Sequence, residues 1–536
     1  MIHITYINVA DEQDIYSGDT AMSQKEDHGV LVARSTFWLS IGSGFATFIS
    51  AIATIVIARL LEPTDYGIYQ AALLPITIIS VVSDLGSGMA ATHYIAYNRR
   101  RNEEYGPYIK ATLLLSFTAG VALAALLLLI SPVLSEIIFR KPELSYLISL
   151  TSIMVFSSAI NNASRGIFLG IEQAEYIAIL LMIFSLVRNL ISVILVILGF
   201  SVFGALLGQI IGAFLMAIAN LVLVIVKFRL PNETLSKLNE ILKYGLPYAL
   251  SIGVNIISNQ FYNALAIRVL PFDVYGNLSA ALMALAGASI ISGSISFSLV
   301  PRFSKFLKNE REAFKQAFKV AIKYASQLVL PVTIIFFSLS DSFIYIFFGP
   351  RYSLAGEFLA LLSLPYFLVV IGAGIIGSAL LGLKKTSLVA LINSLSVIIS
   401  FIILLILIGD LTAFSLVLAM IINAITGTVI GLIILWRKYR IEIDILFSAK
   451  ALAIAVLITI TITIIKGFLF THLLRLFVGS LLVILMFTFL LVLTKCVDVQ
   501  DIARMRQLSI AVPILGRFGV KITNYMEWLY NEIYGE

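Results

Sequence analysis

The sequence predicts an all-α polytopic membrane protein with about 14 transmembrane helices, arranged as two parallel six-helix repeats around a central cavity plus two extra C-terminal helices. Three observations support this fold class. The 536 residues are 60% hydrophobic and only 12% charged, whereas about a quarter of the residues in ordinary soluble proteins are charged. Many charge-free runs are long enough to cross a bilayer, and two stretches separated by 209 residues match each other.

The charge-free runs set the number of helices. A helix that crosses the hydrocarbon core needs about 20 mostly apolar residues. The predicted segments, numbered one to fourteen, are 35–60, 70–96, 108–132, 144–168, 175–198, 202–226, 244–268, 276–300, 320–344, 355–380, 386–408, 411–436, 449–466 and 472–494.

The distribution of lysine and arginine predicts the orientation in the membrane. An even number of spans places both termini on one side, and that side collects 29 of the 37 basic residues. The other side has seven, and the last one, Arg188, lies in the middle of the fifth segment. Basic residues concentrate in cytoplasmic loops. We therefore predict a multi-pass protein of the cell (plasma) membrane with both termini in the cytoplasm.

An internal repeat predicts how the helices are grouped. The stretch ARLLEPTDYGIYQAAL (58–73) matches IRVLPFDVYGNLSAAL (267–282), and IFLGIEQ (167–173) matches ALLGLKK (379–385). Parallel repeats of this kind occur in secondary transporters, where the substrate binds between the halves. The predicted domains are a cytoplasmic tail (1–34), an N-lobe (35–227), a cytoplasmic linker (228–243), a C-lobe (244–438), helices 13 and 14 (439–495) and a cytoplasmic amphipathic tail (496–536).

Equivalent helices of the two repeats carry a polar face. In the first segment, Ser50 and Thr54 belong to a row of hydroxyl residues at spacings of three and four, and Asn255, Asn259 and Asn263 follow each other at every fourth position of the seventh. Small hydroxyl residues favour close packing between membrane helices, whereas an unpaired amide in lipid is costly. Both interhelical packing and the wall of a hydrated cavity explain the pattern, so these five residues are candidates for substrate binding.

Two charged residues lie near the predicted bilayer centre. Asp84 and Arg188 are each at least ten residues from the ends of their segments, and a charge at this depth costs about 2.5–3.5 kcal/mol. One interpretation is a structural ion pair between the second and fifth helices. The other is that Arg188 binds an anionic group in the cavity, with Asp84 orienting it or exchanging a proton. Arg34 and Arg165, at inner helix ends, either snorkel to the membrane surface or line the mouth of the cavity.

No catalytic pattern is present in the sequence. It contains no phosphate-binding loop, no GxSxG motif and no zinc-binding spacing, and it has a single cysteine, Cys496. We therefore expect neither an enzyme nor a cofactor. The segment after Lys495 repeats apolar residues at spacings of three and four, which predicts an amphipathic helix that lies on the inner membrane surface or docks on a partner.

Several phrases, taken together, identify a family resemblance. They are TFWLSIGSGFATFISAIATIVIARLLEPTDYGIY (36–69), the DLG of 84–86, FLGIEQAEY (168–176), YGLPYALS (244–251), LVPRFSK (299–305) and FFGPRYSLAGEFL (347–359). In this order and spacing they resemble the polysaccharide-transport branch of the multidrug/oligosaccharidyl-lipid/polysaccharide exporter superfamily, the O-antigen-type (Wzx-like) flippases. The resemblance covers nearly the whole chain up to about residue 495.

The resemblance implies a two-lobed bundle that works by alternating access. Its cargo would be a polyprenyl- or dolichyl-(pyro)phosphate-linked oligosaccharide, moved from the cytoplasmic to the outer leaflet. The implied partners are this lipid-linked glycan, membrane lipid and glycan assembly enzymes, but no nucleic acid, and the protein would be monomeric. Family members keep arginines in the cavity; here Arg188 is the midplane cation, and Arg34, Arg165 and Arg302 are further candidates. The alternative is a cation-coupled multidrug exporter of the same superfamily, with Asp84 as the coupling carboxylate.

Overall fold

The computed structural model describes residues 20–228, 235–304, 311–407, 412–510 and 516–535, and these ranges contain helices but no β-strand. The α-helices are α1 (Thr20–Leu60), α2 (Pro63–Ile79), α3 (Ser87–Arg100), α4 (Gly106–Val133), α5 (Leu144–Gly170), α6 (Ala174–Leu195), α7 (Ser201–Lys227), α8 (Leu235–Val269), α9 (Phe272–Ser304), α10 (Arg311–Ser338), α11 (Ser340–Phe347), α12 (Ser353–Ser363), α13 (Ile375–Gly382), α14 (Thr386–Leu407), α15 (Ala413–Tyr439), α16 (Ile445–Ile465), α17 (His472–Leu493), α18 (Val499–Ile510) and α19 (Gly516–Tyr534). We refer to α1–α7 as the first half and to α8–α15 as the second half.

The predicted all-helical membrane fold is confirmed, whereas the exact number of 14 spans is not. Ten helical stretches in the described part of the chain are long and apolar enough to cross a membrane. One of them, Ala174–Lys227, contains both the fifth and the sixth predicted segments. The second predicted segment does not form one helix, because α2 ends at Ile79 and α3 begins only at Ser87.

Glycines mark two further irregularities in the helical segments. Gly199 has φ +91° at the kink between α6 and α7. Gly372 and Gly374, with φ +99° and +82°, separate the turns of 3₁₀ helix at Leu364–Ile371 from α13. A left-handed backbone is accessible to glycine because it lacks a Cβ atom. The tenth predicted segment is therefore a chain of short helices rather than one continuous helix.

The two halves meet through a buried core at one end of the bundle, which we call the far end. The other end, which carries the start of α1 and the helices α18 and α19, is the terminal end. The far-end core combines Ile57 and Tyr66 of the first half with Tyr275, Tyr352 and Phe358 of the second half. The hydroxyl of Tyr352 donates to the carbonyl oxygen of Ala58 at 2.6 Å.

Two glycines allow the halves to touch backbone to backbone at the far end. A Cβ atom on Gly67 would lie 2.1 Å from the carbonyl oxygen of Phe272, and one on Gly276 would lie 1.8 Å from that of Pro63. Each residue of one half is 209 positions from its equivalent in the other. The contact is therefore reciprocal, as a two-fold relation between the halves requires.

Two arginines repeat the same symmetry. Arg59 donates from Nη1 to the carbonyl oxygen of Ile346 at 3.3 Å, and Arg268 donates to the carbonyl oxygen of Ile137 at 2.9 Å. Both donors and both acceptors are again separated by 209 residues. The repeat predicted from the sequence is thus visible as a set of equivalent contacts between the halves.

The C-terminal helices α18 and α19 fold back onto α10 and α17. Asp501 pairs with Lys323, and the hydroxyl of Tyr324 donates to Asp501 Oδ1 at 3.2 Å. Met526 of α19 is buried, and the hydroxyl of Tyr534 donates to the carbonyl oxygen of Leu493 at 2.8 Å. Leu529 of the predicted apolar stripe is buried in the same core as Met526, and Ile522 and Tyr525 pack against it, so this part of the stripe contacts the bundle itself.

Candidate functional site

The break between α2 and α3 explains the carboxylate inside the second predicted span. Residues 80–86 form turns, with Leu85 at φ 52° and Gly86 at φ 74°. The carboxylate of Asp84 accepts hydrogen bonds from the backbone N–H of Gly86 at 3.3 Å and of Gly88 at 2.8 Å. The first N–H groups of a helix lack partners within the helix. Asp84 therefore caps α3, and its negative charge lies at the positive end of the helix dipole.

Close backbone contacts hold this break in place. A Cβ atom on Gly86 would lie 2.2 Å from the carbonyl oxygen of Gly245 in α8, and one on Gly166 of α5 would lie 1.9 Å from that of Gly88. The break is thus fixed between α5 of the first half and α8 of the second half. Side chains larger than hydrogen at these positions would push the three segments apart.

A cavity of about 510 Å³ lies where these segments meet, and we call it the interlobe cavity. Its volume is typical of small-molecule sites, which span about 300–1,000 Å³. The lining residues are Ser80, Val81, Asp84, Gly86, Gly88, Met89 and Thr92 from the α2–α3 region, Ser158, Asn161, Asn162, Arg165, Gly166 and Leu169 from α5, and Tyr248 and Ile252 from α8. The cavity therefore lies between the two halves.

The polar groups of the interlobe cavity offer both charge and hydrogen bonds. Arg165 is exposed and forms no ion pair with a described residue. Asn161 accepts a hydrogen bond from Asn220, and Asn162 donates one to the carbonyl oxygen of Ser80, which leaves amide donor or acceptor capacity on both. Tyr248 adds an aromatic ring from α8. A guanidinium group, two amides and a ring can hold an anionic, hydroxyl-rich molecule.

Arg188 lies elsewhere in the first half and does not pair with Asp84. Its Nη2 donates to the hydroxyl of Ser50 on α1 at 3.0 Å, and Asn189 donates to the same oxygen at 3.1 Å. Its Nε is buried without a partner among the described residues. Gly212 of α7 lies directly against its side chain. The ion pair considered from depth alone is therefore not formed, because the two side chains bond to different elements.

The polar faces of α1 and α8 are partly used for packing. Thr54 donates to the carbonyl oxygen of Ser50 in its own helix. Asn255 accepts a hydrogen bond of 3.2 Å from Asn393 of α14. The Oδ1 atom of Asn263 is buried and accepts no hydrogen bond from a described residue. Asn259 is exposed. These residues do not line the interlobe cavity.

Of the nine predicted site residues, the structure places Asp84 and Arg165 in one cavity. Arg34 belongs to α1, but its side chain lies outside the described residues, as does that of Arg302. Sequence reasoning missed Asn161, Asn162 and Tyr248. The adjacent asparagines were a usable signal, because two amides inside an apolar run are costly unless they have polar neighbours.

Aromatic and polar contacts join the halves at the terminal end. The ring of His93 stacks on that of Tyr244 with centres 4.8 Å apart, and the hydroxyl of Tyr108 donates to Glu240 at 2.6 Å. Lys237 also donates to Glu240, at 3.0 Å. This group, which we call the terminal latch, connects α3 and α4 to α8.

The described residues do not form a candidate metal-binding site. No group of three or more histidine, cysteine, aspartate or glutamate side chains among them is placed to hold an ion.

Comparisons with solved structures show the fold. The lipid II flippase MurJ in an inward closed conformation superposes with a TM-score of 0.68 at 17% identity, over 84% of this chain and 97% of that one. An inward-facing multidrug resistance MATE family transporter of the MOP superfamily gives 0.59 at 18% identity, over 76% and 98%. A MOP superfamily transporter from Pyrococcus furiosus gives 0.52 at 18%, over 77% and 95%. No curated relative matches the chain in sequence.

The sequence was also compared with profiles of known protein families, and one of them matches. The profile of a family described as polysaccharide biosynthesis protein matches residues 56–357, more than half of the chain. This match, with the folds above, confirms the resemblance found in the sequence. The chain is a multi-pass membrane protein that belongs to this polysaccharide biosynthesis family and has the fold of MOP superfamily transporters.

Proposed function

We propose that the protein is a flippase that moves a lipid-linked oligosaccharide, carried on a polyprenyl or dolichyl (pyro)phosphate, from the cytoplasmic to the outer leaflet by alternating access. The observation that carries this proposal is the interlobe cavity, which is lined by Arg165, a cation without an ion-pair partner among the described residues. The family assignment to polysaccharide biosynthesis supports a glycan cargo. The solved structure with the highest TM-score of those compared above is described as a lipid II flippase.

The chemistry of the cavity suits both parts of such a cargo. Arg165 would bind the phosphate, because a guanidinium group donates two parallel hydrogen bonds and stays charged. Asn161 and Asn162 would replace water around sugar hydroxyls, and the ring of Tyr248 would pack on a sugar face. The lipid tail would remain in the bilayer and slide along the gap between the halves.

Asp84 acts on the cavity through the backbone in this proposal. By holding the N–H groups of Gly86 and Gly88, it keeps α2 and α3 apart and the wall of the cavity polar. It is a positioning residue rather than a cargo ligand. Arg188 keeps a buried Nε without a described partner, and it would contact the cargo after the halves have moved.

Alternating access requires one end of the bundle to open while the other stays closed. The far end is closed by the reciprocal glycine and arginine contacts. The terminal latch is made of side-chain contacts, namely aromatic ring contacts and a few polar bonds. Because these contacts are made by side chains, whereas the far end is closed by direct backbone packing, we propose that the cargo is loaded at the terminal end and that this end faces the cytoplasm.

A cation-coupled multidrug exporter is the second candidate. The buried Asp84 and the similarity to the MATE fold favour it. The two functions make opposite demands on Arg165, because a positive side chain attracts a phosphate and repels a cationic drug. Replacing Arg165 by glutamine should therefore weaken glycolipid transport but leave or improve the transport of a cationic drug.

Mass analysis of lipids that stay bound to the purified protein tests the proposal. We expect a polyprenyl- or dolichyl-phosphate glycan to be retained by the wild-type protein and lost from Arg165→Gln. Arg437→Gln removes an exposed arginine from the end of α15 and serves as the matched control, which should retain the lipid. Retention of the glycolipid by Arg165→Gln at the wild-type level would overturn the assignment of the cavity.

A further inference from the structure

Four lysines converge on a second cavity at the terminal end, separate from the interlobe cavity. This cavity, which we call the lysine pocket, has a volume of about 270 Å³. Lys319 and Lys323 reach it from α10, Lys450 from α16, and Lys495 from the turn after α17. None of these residues takes part in the proposed transport of the glycan.

The positive charge of the lysine pocket is only partly balanced. Asp444 is the one acidic side chain among its described lining residues, and its Oδ1 caps α16 by accepting from the N–H of Phe447 at 3.0 Å. Lys323 pairs with Asp501 of α18. Lys450 donates to the carbonyl oxygen of Thr494 at 3.0 Å.

Three of the four ammonium groups, those of Lys319, Lys450 and Lys495, have no carboxylate partner in the described chain. The Lys495 ammonium lies 4.3 Å from the centre of the Tyr534 ring, and a contact of this type contributes about 0.5–1 kcal/mol at an exposed site. Lys319 forms no ion pair with a described residue. Placing like charges around one cavity is unfavourable. The arrangement is therefore best explained if an anion balances the charge.

The position of the lysine pocket in the bundle indicates where this anion comes from. The pocket lies where α16 begins and α17 ends, which is the level of the membrane surface for two apolar spans. Leu446, which lines the pocket, is 67% exposed, and the preceding residue, Ile445, is 79% exposed. Lysines beside exposed apolar side chains match a molecule with an anionic headgroup and acyl chains.

We propose that the lysine pocket binds a phosphate group, presented by the headgroup of an anionic phospholipid of the surrounding membrane. Lys319, Lys450 and Lys495 would contact the phosphate oxygens, and Leu446 would contact the start of an acyl chain. Lysine suits a phosphate that is held at the membrane surface in varying positions, because its compact ammonium group lies at the end of a flexible side chain. Asp501 and Tyr534 place α18 and α19 beside the pocket, so a bound lipid would also touch the C-terminal tail.

Purified full-length protein in detergent provides the test. Thermal unfolding is measured with phosphatidylglycerol, with phosphatidylcholine and with inorganic pyrophosphate, for the wild type and for Lys319→Gln/Lys450→Gln. We expect phosphatidylglycerol to stabilise the wild type and to bind the double variant about thirtyfold more weakly, since each lysine near a membrane surface contributes about 1 kcal/mol. Lys384→Gln/Lys385→Gln removes two exposed lysines elsewhere and should behave as wild type.

A charge-preserving variant and the choice of ligand allow each result of this experiment to be interpreted. Lys319→Arg/Lys450→Arg keeps the charges and should restore binding, which separates loss of the site from misfolding. Binding of pyrophosphate but not of phosphatidylglycerol would retain the phosphate site and assign it to a soluble ligand. Equal stabilisation by phosphatidylglycerol and phosphatidylcholine, or equal binding to the wild type and the glutamine variant, would overturn the proposal.

Discussion

The carboxylate of Asp84 accepts a 2.8 Å hydrogen bond from the backbone N–H of Gly88, and this bond places the start of α3 inside a segment that its composition marks as a single span. The interlobe cavity exists because α2 and α3 are separate helices at this level. The carboxylate in the middle of this predicted span therefore has a structural role, because it accepts hydrogen bonds from two backbone N–H groups at a break between helices.

Replacing Asp84 by alanine should destabilise the protein and impair transport together. The N–H groups of Gly86 and Gly88 lose their acceptor, and loss of a helix cap costs about 0.5–2 kcal/mol. Thermal unfolding of the purified variant measures the first effect, and a glycolipid flipping assay in liposomes measures the second. Asp84→Asn keeps one acceptor oxygen and should lie between alanine and wild type. Wild-type stability of Asp84→Ala would contradict the capping role.

Replacing Arg165 by alanine should lower glycolipid flipping by at least about tenfold without changing insertion or folding. A hydrogen bond to a charged group contributes about 1.5–3 kcal/mol, and this arginine has no described ion pair to lose. Arg437→Ala, at the same end of the bundle, should flip at the wild-type rate. Initial rates in liposomes provide the comparison, and similar rates for the two variants would remove Arg165 from the site.

Replacing Gly67 by alanine should hold the far end partly open. The new Cβ atom would lie 2.1 Å from the carbonyl oxygen of Phe272, a distance that forces the backbones apart. Thiol crosslinking between Glu62→Cys and Arg351→Cys reports closure, because the native side chains form an ion pair of 2.6 Å. We expect a lower crosslinking yield in Gly67→Ala.

The repeat supplies the control for this measurement. Gly276→Ala meets the carbonyl oxygen of Pro63 at 1.8 Å and should lower the yield as Gly67→Ala does. Gly377→Ala has open space around it and should leave the yield unchanged. An undiminished yield in both far-end variants would show that the reciprocal contact does not determine closure.

The bonds to Glu240 in the terminal latch should lose their effect on stability in acid. The hydrogen bond from Tyr108 lowers the pKa of Glu240, and the hydrogen bond to Glu240 raises the pKa of Lys237. A lowered carboxyl pKa stabilises the fold above the ordinary value of about 4.3 and loses that effect as the pH falls through the native pKa. The raised lysine pKa stabilises the fold below about pH 10.4 and loses that effect as the pH rises further.

Glu240→Gln tests this pH dependence. At neutral pH the variant should be slightly less stable than the wild type, since both charged side chains are partly exposed to solvent and such pairs are weak. The difference in thermal unfolding should vanish as the pH falls below about 4. A difference that persists unchanged in acid would mean that the carboxylate does not stabilise the contact between α4 and α8.

The sequence predicts the helices well because their cause is local. A run of apolar residues long enough to cross a bilayer forms a helix wherever it lies in the chain. The break at Leu85–Gly86 has a partly non-local cause. Gly86 packs directly against the carbonyl oxygen of Gly245 in the second half, and this contact leaves no room for a side chain.

The candidate site was harder to predict for a similar reason. Residue numbers give the depth of a side chain in the membrane, and depth placed Asp84 and Arg188 at one level. They do not give the direction in which a side chain leaves its helix. Arg188 points to Ser50 on α1, whereas Arg165, which depth alone assigned to a helix end, shares the cavity with Asp84.

The reciprocal contacts of Gly67 and Gly276 have a consequence for how the molecule could have arisen. Because each half contributes the same groups to this contact, a single half carries a surface that is complementary to itself, as in a two-fold symmetric homodimer. An ancestral six-helix chain could have closed this end by pairing with an identical copy, and joining two copies in one polypeptide would have preserved that contact while freeing each copy to diverge.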